Sequence, residues 1–243
     1  MYGFTPKPHR PIPGIYSALA KNLAKKKGSE GIRLEGIRGE AQPVSYNQFT
    51  AVQLKTQFGL QIVEEADLFA DVPPVEISRR LRENLAADTR LALRSGSEKA
   101  RSEYIIAPIL AEVYQQTQDH ANLFSGVEFD VDVSRGLTGY CDFLFSLSAL
   151  TIEIEAPVVS VVEAKRENIL RGIPQCLAEL LAAQIFNAQA GRPVSPLYGV
   201  VTTGEIWQFL RLQDTVATID QTEYHFSKLE HIVGILVWML RSV

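Results

Sequence analysis

The feature that most constrains the fold is a nearly continuous apolar run, V-V-S-V-V-E-A, at residues 158–164, which Lys165 follows directly. Such a run is typical of a central strand that is buried on both faces of a sheet. Because side chains alternate along a strand, Glu163 and Lys165 project to one side, while Ala164 points the other way. Charged groups at the end of a buried strand cost free energy unless something binds them. The run therefore predicts an α/β fold with a site at the end of this strand.

A second strand-like run, G-Y-C-D-F-L-F-S at residues 139–146, carries Asp142. If the two strands are neighbours, Asp142 meets Glu163, and Lys165 lies beside them. Carboxylates are the ligands that Mg²⁺ prefers, and a lysine ammonium can position a water or stabilise charge on a phosphoryl group. This set of residues suits phosphodiester hydrolysis. The alternative is a plain ion pair on a strand face, since E-x-K is common in strands.

A strong helical pattern follows Ser97, which is a suitable N-cap. Pro108 inside this pattern predicts a kink or a displaced start. Two acids of this helix, Glu98 and Glu103, each align with an apolar stripe, so either one can reach the site. A carboxylate near a helix N-terminus is also favoured by the helix dipole alone, and both interpretations stay open.

Another helix is predicted over residues 173–190, with Pro174 in its first turn. Gln175 lies at the same end. It can orient a water or a metal-bound carboxylate, or it can be a satisfied polar residue at a helix start.

Three carboxylates recur with period two in the run F-S-G-V-E-F-D-V-D-V, at Glu128, Asp130 and Asp132. They share one face of a predicted strand, which invites interpretation as a metal site. The alternative is the solvated side of an antiparallel hairpin whose turn is Ser134-Arg135-Gly136.

These elements predict an α/β fold with a mixed central β-sheet flanked by helices. Residues 1–95 are expected to form a mostly helical elaboration that includes a helix over Ile15–Lys27, and residues 96–243 the catalytic core. The first forty residues carry eight Lys or Arg against three Glu, so they form either a basic arm that contacts phosphates or a solvated surface. The amphipathic C-terminal helix, Lys228–Val243, packs on the core or forms a dimer contact.

Charge and composition limit the expected binding partners and the expected cellular compartment. A net charge of −4 counts against a dedicated non-specific DNA binder. Cys141 and Cys176 fit no disulfide or metal spacing, the N-terminus shows no signal-peptide core, and no apolar run of membrane-spanning length is evident. A reducing cytoplasm and no membrane partner are expected.

Taken in order, these segments resemble the PD-(D/E)XK nuclease superfamily, which has the restriction-endonuclease-like fold. The resemblance covers about residues 97–213: a helix with Glu, a hairpin ending G-Y-C-D, the strand V-V-E-A-K, a helix with Gln and the strand pair V-V-T-T-G-E-I-W-Q-F. That last pair, and the run A-R-S-E-Y-I-I-A-P-I-L in the first helix, are similar to the nuclease domains of type I restriction subunits.

The resemblance implies a Mg²⁺-dependent endonuclease or exonuclease acting on DNA, with Mn²⁺ as a substitute. Metal ligands would be Asp142, Glu163 and the Ala164 carbonyl, and Lys165 would position or activate the attacking water. Gln175 matches the glutamine that often follows the motif, and the first-helix acid would be Glu98 or Glu103. Double-strand cleavage from one site per chain would favour a homodimer.

Two positions depart from the family pattern. Cys141 precedes the aspartate where many members have proline, and Glu179 stands where the type I pattern has a tyrosine, four residues after Gln175. An acid cannot replace a phenol donor near phosphate. The alternative function is therefore a non-cleaving module on the same scaffold that binds nucleic acid or protein.

Overall fold

A seven-stranded mixed β-sheet with helices on both faces forms the centre of the protein, in the strand order β1-β7-β6-β5-β4-β3-β2. The computed structural model describes residues 45–243 except 66, 119 and 149–151. The strands are β1 (Gln61–Glu65), β2 (Asn122–Glu128), β3 (Tyr140–Ser146), β4 (Val158–Ala164), β5 (Leu197–Thr202), β6 (Ile206–Gln213) and β7 (Val216–His225). The predicted fold class, α/β with a mixed sheet flanked by helices, is confirmed.

The sheet is mixed because two of its six pairings are parallel, β4 with β5 and β1 with β7, while the others are antiparallel. Strand β4 lies inside the sheet between β3 and β5, and all seven of its residues are buried. Burial on both faces is the reason that its sequence reads as an unbroken apolar run. The strand ends at Ala164, directly after Glu163.

Six α-helices cover the two faces of the described sheet. They are α1 (Ala51–Phe58), α2 (Arg79–Ser95), α3 (Glu98–Arg101), α4 (Ala107–Thr117), α5 (Ile169–Gln189) and α6 (Leu229–Arg241). Helix α5 packs with α1 on one face, while α2, α4 and α6 pack on the other, and each side has its own apolar core.

A π-helical turn over Ser102–Ile106 joins α3 to α4, and Pro108 follows it at the start of α4. Ser97 caps the run, because its side chain accepts a hydrogen bond from the Ala100 amide. Helix α4 therefore begins at Ala107, directly before Pro108, which is the displaced start that Pro108 predicts. The π-helical turn also breaks the regular 3.6-residue spacing that placed Glu98 and Glu103 on apolar stripes, since a π-turn adds a residue to one turn.

Two predicted elements differ from the structure. Helix α5 begins at Ile169 rather than 173, because Asn168 caps it by accepting from the Arg171 amide, so Pro174 lies in its second turn. The apolar residues of Val216–Ile219 predict a short edge strand, whereas β7 runs to His225 and lies between β1 and β6. For Leu150–Glu155 the sequence favours either a short strand or a turn edge, and the described residues 152–155 form no strand, with 152 and 153 in a bend.

The described part of the 1–95 segment contains α1, β1 and α2, and its strand β1 belongs to the same sheet as the rest. The sequence predicts a helix capped by Ser45 that runs to about Phe58. Helix α1 instead begins after Thr50, in a capping box in which Thr50 and Gln53 bond each other's backbone. The helix expected over Ile15–Lys27 and the basic arm lie outside the described residues, so the helical elaboration and its boundary at residue 95 stay predictions.

Helix α5 is, by length and composition alone, long and apolar enough to cross a membrane. Of its most apolar window, 56% is buried inside the protein, where it packs against β4 and β5. The core helix of a soluble protein passes the same test, so the expectation of no membrane partner stays a prediction.

Candidate functional site

Asp142 and Glu163 meet at the end of the β3–β4 pair. The antiparallel ladder pairs Phe143 with Val162, and Asp142 and Glu163 are the next residue on each strand. The Ala164 amide donates a hydrogen bond of 2.9 Å to Asp142 Oδ2, which fixes the Asp142 carboxylate at the strand end. The predicted meeting of these two acids is therefore seen in the structure.

Lys165 completes the group. Its Nζ donates to Glu163 Oε1, as expected for side chains two positions apart along a strand, and its backbone amide donates to the Thr202 carbonyl of β5 at 2.7 Å. Gly172 on α5 makes room for its side chain. A Cβ at position 172 would lie 2.5 Å from Val201 Cγ1 and 3.1 Å from Lys165 Cγ.

Burial sets the electrostatics of this group. Glu163 is 1% exposed, and its Oε2 has no hydrogen-bond partner among the described residues. Burial, reinforced by the nearby Asp142 carboxylate, raises the pKa of Glu163 to about 8, although Lys165 opposes the shift. Burial likewise raises the pKa of Asp142. For Lys165, burial lowers the pKa, but Glu163 outweighs it and leaves the pKa above its ordinary value.

Gln175 and Glu179 extend the group into the protein interior. Gln175 Oε1 accepts from Lys165 Nζ at 3.2 Å, and Gln175 Nε2 donates to Glu179 Oε1 at 3.1 Å. Gln175 thus contacts Lys165 and Glu179, rather than the carboxylate of Asp142 or Glu163 that would hold a metal. Glu179 is fully buried, and burial followed by the charge of Glu163 raises its pKa well above the ordinary value.

The two first-helix acids differ in what they face. Glu98 is exposed, yet its charge contributes to the raised pKa of both Glu163 and Lys165. Glu103 instead forms an ion pair of 2.8 Å with Lys99, in which its own side chain is 51% exposed. Of these two acids, Glu98 is the one whose charge bears on Glu163 and Lys165.

A cavity of about 300 Å³ opens beside Asp142 and Ala164. Glu98, Glu103 and Gly126 also line it. Gly126 on β2 lies next to Asp142, since its neighbours Ser125 and Val127 pair with Phe143 and Cys141. Its φ of +62° disfavours a side chain, and a Cβ there would meet only open space, so this flank of the cavity stays open.

The residues present fit a hard divalent cation. The buried Glu163 carboxyl, with one unpartnered oxygen, and the half-buried Asp142 carboxyl offer the oxygen donors that Mg²⁺ and Mn²⁺ take. Among the described residues there is no cluster of three or more His, Cys, Asp or Glu side chains with metal-holding geometry. A cation here would be held by Asp142 and Glu163 together with non-side-chain oxygens, such as the Ala164 carbonyl, water or substrate phosphate.

The three hairpin carboxylates lie apart from this group. Asp132 caps a 3₁₀ turn, where it accepts from the Arg135 amide at 3.1 Å and pairs with the Arg135 guanidinium at 2.6 Å. Asp130 accepts from the Gly139 amide at 2.8 Å and from the Thr138 hydroxyl. Asp130 and Asp132 therefore hold the hairpin turn, and Glu128 is exposed on β2, in agreement with the solvated-hairpin interpretation rather than with a metal site.

Sequence reasoning missed the parts played by Glu179 and Gly172. The signal for Glu179 was present, because residues four apart on a helix lie on the same face, and Gln175 and Glu179 have this spacing. Gly172 gave no such signal, since its role depends on Lys165 packing between α5 and β5.

Comparison of the chain with models of known protein families found no match, and comparison with curated proteins also found none.

Proposed function

We propose that the protein is a metal-dependent nuclease of the PD-(D/E)XK superfamily that hydrolyses phosphodiester bonds in DNA. The single observation that carries the proposal is the buried carboxyl of Glu163, with one unpartnered oxygen, held between Lys165 and Asp142, and Asp142 in turn lines an open cavity. A buried acid without a full set of partners is costly, and such groups concentrate at functional sites.

Each residue has a distinct role in this proposal. Asp142, Glu163 and the Ala164 carbonyl are the atoms that would hold Mg²⁺ or Mn²⁺. The cation, when bound, lowers the pKa of a water and neutralises charge on the phosphoryl oxygens. Lys165 has three N–H donors, of which two point to Glu163 and Gln175, so the third is free to hold the attacking water or a phosphate oxygen.

The surroundings suit a polymer better than a small molecule. The cavity beside Asp142 is open, and a neighbouring groove of about 380 Å³ between α2 and α4 shares Glu103 and Ala107 with it. A strand longer than one nucleotide could follow this surface. The choice of DNA over RNA rests on the resemblance to restriction-subunit nuclease domains.

The test is cleavage by the purified full chain. Supercoiled plasmid, linear duplex, single-stranded DNA and RNA are each incubated with Mg²⁺, with Mn²⁺ or with a chelator. We expect DNA cleavage with either metal and none with the chelator. Asp142→Asn and Lys165→Met should each lower the rate by at least about 100-fold, because each removes a group that acts on the reacting phosphate.

The matched control is Asp71→Asn, which neutralises a carboxyl in an exposed turn and should leave the rate unchanged. Undiminished cleavage by Asp142→Asn would assign the activity to another site or to a contaminant. A wild-type chain that binds DNA or a protein but cuts no substrate with either metal would identify the alternative, a non-cleaving module.

A further inference from the structure

One fully buried acid, Glu179, has no role in the proposed reaction. It lies on α5 with its Oε2 unpartnered among the described residues, and its Oε1 accepts from the Gln175 side chain at 3.1 Å. An acid in this position is costly, since among the described residues a single hydrogen bond, from Gln175, offsets its desolvation. The free-energy cost of burying Glu179 indicates that it supports the side chains bonded to it in series, Gln175 and Lys165.

The orientation of the Gln175 amide shows what Glu179 does. Nε2 faces Glu179, and Oε1 faces Lys165 Nζ at 3.2 Å. A reversed amide would place its NH₂ against the lysine ammonium and its carbonyl against a carboxyl oxygen, and both contacts would be unfavourable. The acceptor at position 179 and the lysine ammonium therefore favour the same orientation of the Gln175 amide.

We propose that Glu179 is a positioning residue, which holds Gln175 Oε1 toward Lys165 and thereby fixes the lysine ammonium for the nuclease reaction. The inference rests on the proposed function. An ammonium has tetrahedral donors, so two fixed bonds, to Glu163 and Gln175, also fix the direction of the third N–H. Without Glu179 the amide is free to rotate, and that direction is lost.

The kinetic test is a double-mutant cycle of Glu179→Met and Gln175→Met, assayed on a fluorescent duplex oligonucleotide with Mg²⁺. Glu179→Met should lower kcat by about 10-fold with little change in KM, the usual size of an effect exerted through a supporting residue. If Glu179 acts through Gln175, the double variant should be no slower than Gln175→Met alone.

Glu179→Gln is the conservative rescue, because its carbonyl can accept the same bond from Gln175 and its volume is nearly unchanged. It should retain kcat within about threefold of wild type. Three outcomes would each overturn the inference. The kcat losses of Glu179→Met and Gln175→Met could multiply in the double variant, Glu179→Met and Glu179→Gln could lose kcat equally, or Glu179→Met could lose none. Circular dichroism and melting temperature confirm that each variant is folded.

A second readout does not depend on cleavage. The side-chain NH₂ resonances of Gln175, assigned by their loss in Gln175→Met, should exchange slowly with solvent in wild type and in Glu179→Gln but rapidly in Glu179→Met. Equal exchange in all three would overturn the positioning bond itself. If the wild-type chain cleaves nothing, the proposed function and the catalytic part of this inference both fail, while the NH₂ exchange still decides whether Glu179 holds Gln175.

Discussion

Two groups of acids, one at the ends of β3 and β4 and on α5, the other in the hairpin of β2 and β3, differ in the direction of their pKa shifts. The site acids are the half-buried Asp142 and the buried Glu163 and Glu179, and the hairpin acids are Glu128, Asp130 and Asp132. Burial raises the pKa of every member of the first group. Among the hairpin acids, hydrogen bonds from Ser134 and Arg135 lower the pKa of Asp132.

The difference lies in the partners. Asp130 and Asp132 are satisfied by the backbone amides and hydroxyls of their own turn. Glu163 and Glu179 each leave one buried oxygen without a partner in the described part of the chain. Acids that accept hydrogen bonds from their own turn stabilise that turn. Acids that are buried with too few hydrogen-bond donors indicate a site that binds a ligand or orders a reactive group. The period-two spacing of the hairpin carboxylates, which suggested a metal site, does not distinguish acids that stabilise a turn from acids that form a functional site.

The largest expected contrast is in catalysis. Glu163→Gln should lower the rate of Mg²⁺-dependent DNA cleavage by at least about 100-fold, because it removes a metal-holding carboxylate. Asp132→Asn should leave the rate within about twofold, since its side chain serves the turn. Initial cleavage rates of Glu163→Gln and Asp132→Asn on one plasmid substrate measure this contrast. An equal loss of rate in both variants would contradict the distinction between the two groups of acids.

Metal affinity should show the next largest contrast. Isothermal titration calorimetry with Mn²⁺ should show Asp142→Asn binding about 10-fold or more weakly than wild type, because one of two side-chain oxygen donors is lost. Asp130→Asn should bind as wild type does. Loss of Mn²⁺ binding in the hairpin variant instead would move the metal site to the hairpin.

Stability should depend on pH in opposite senses for the two groups. The pKa of Glu179 is raised in the folded state, so its cost to stability is absent below its unfolded pKa and grows as pH rises through the folded pKa. Glu179→Gln should therefore be more stable than wild type at pH 8 by about 1 kcal/mol, and equal to it near pH 4.

The pKa of Asp132 is lowered, so its stabilising contribution is present above its unfolded pKa and is lost as pH falls through the folded pKa. Asp132→Asn should be less stable than wild type at pH 7, and the difference should vanish in strong acid. Urea unfolding of metal-free protein across this pH range measures both variants. Parallel pH profiles for Glu179→Gln and Asp132→Asn would contradict the assignment.

The smallest contrast concerns the first helix. Glu98→Gln should lower the cleavage rate by about threefold to tenfold, because its charge acts on Glu163 and Lys165. Glu103→Gln should have no such effect, since Lys99 engages that acid at the surface. The two variants are matched in chemistry and lie five positions apart. A larger loss in Glu103→Gln would reverse the choice between them.

The sequence was sufficient for the centre of the fold. The apolar run placed β4 at residues 158–164, and the alternation of a strand placed Glu163 and Lys165 on one side. The meeting with Asp142 needed only that β3 and β4 be neighbours. Each of these inferences depends on local pattern, and local pattern is what a sequence shows directly.

The parts that failed depend on distant residues or on irregular backbone. The interior place of β7 depends on β1, more than a hundred residues earlier in the chain. The π-helical turn at Ser102–Ile106 changes the faces of Glu98 and Glu103 in a way that regular helical spacing cannot predict. The start of α5 depended on a cap, Asn168, which Pro174 obscured.

The most direct test of the central proposal is the position of a bound cation. A crystal of the full chain soaked in Mn²⁺ should show an anomalous difference peak that contacts the carboxyl groups of both Asp142 and Glu163. No peak there at saturating Mn²⁺, or a peak at Asp130 and Asp132 instead, would contradict the proposed metal-dependent site.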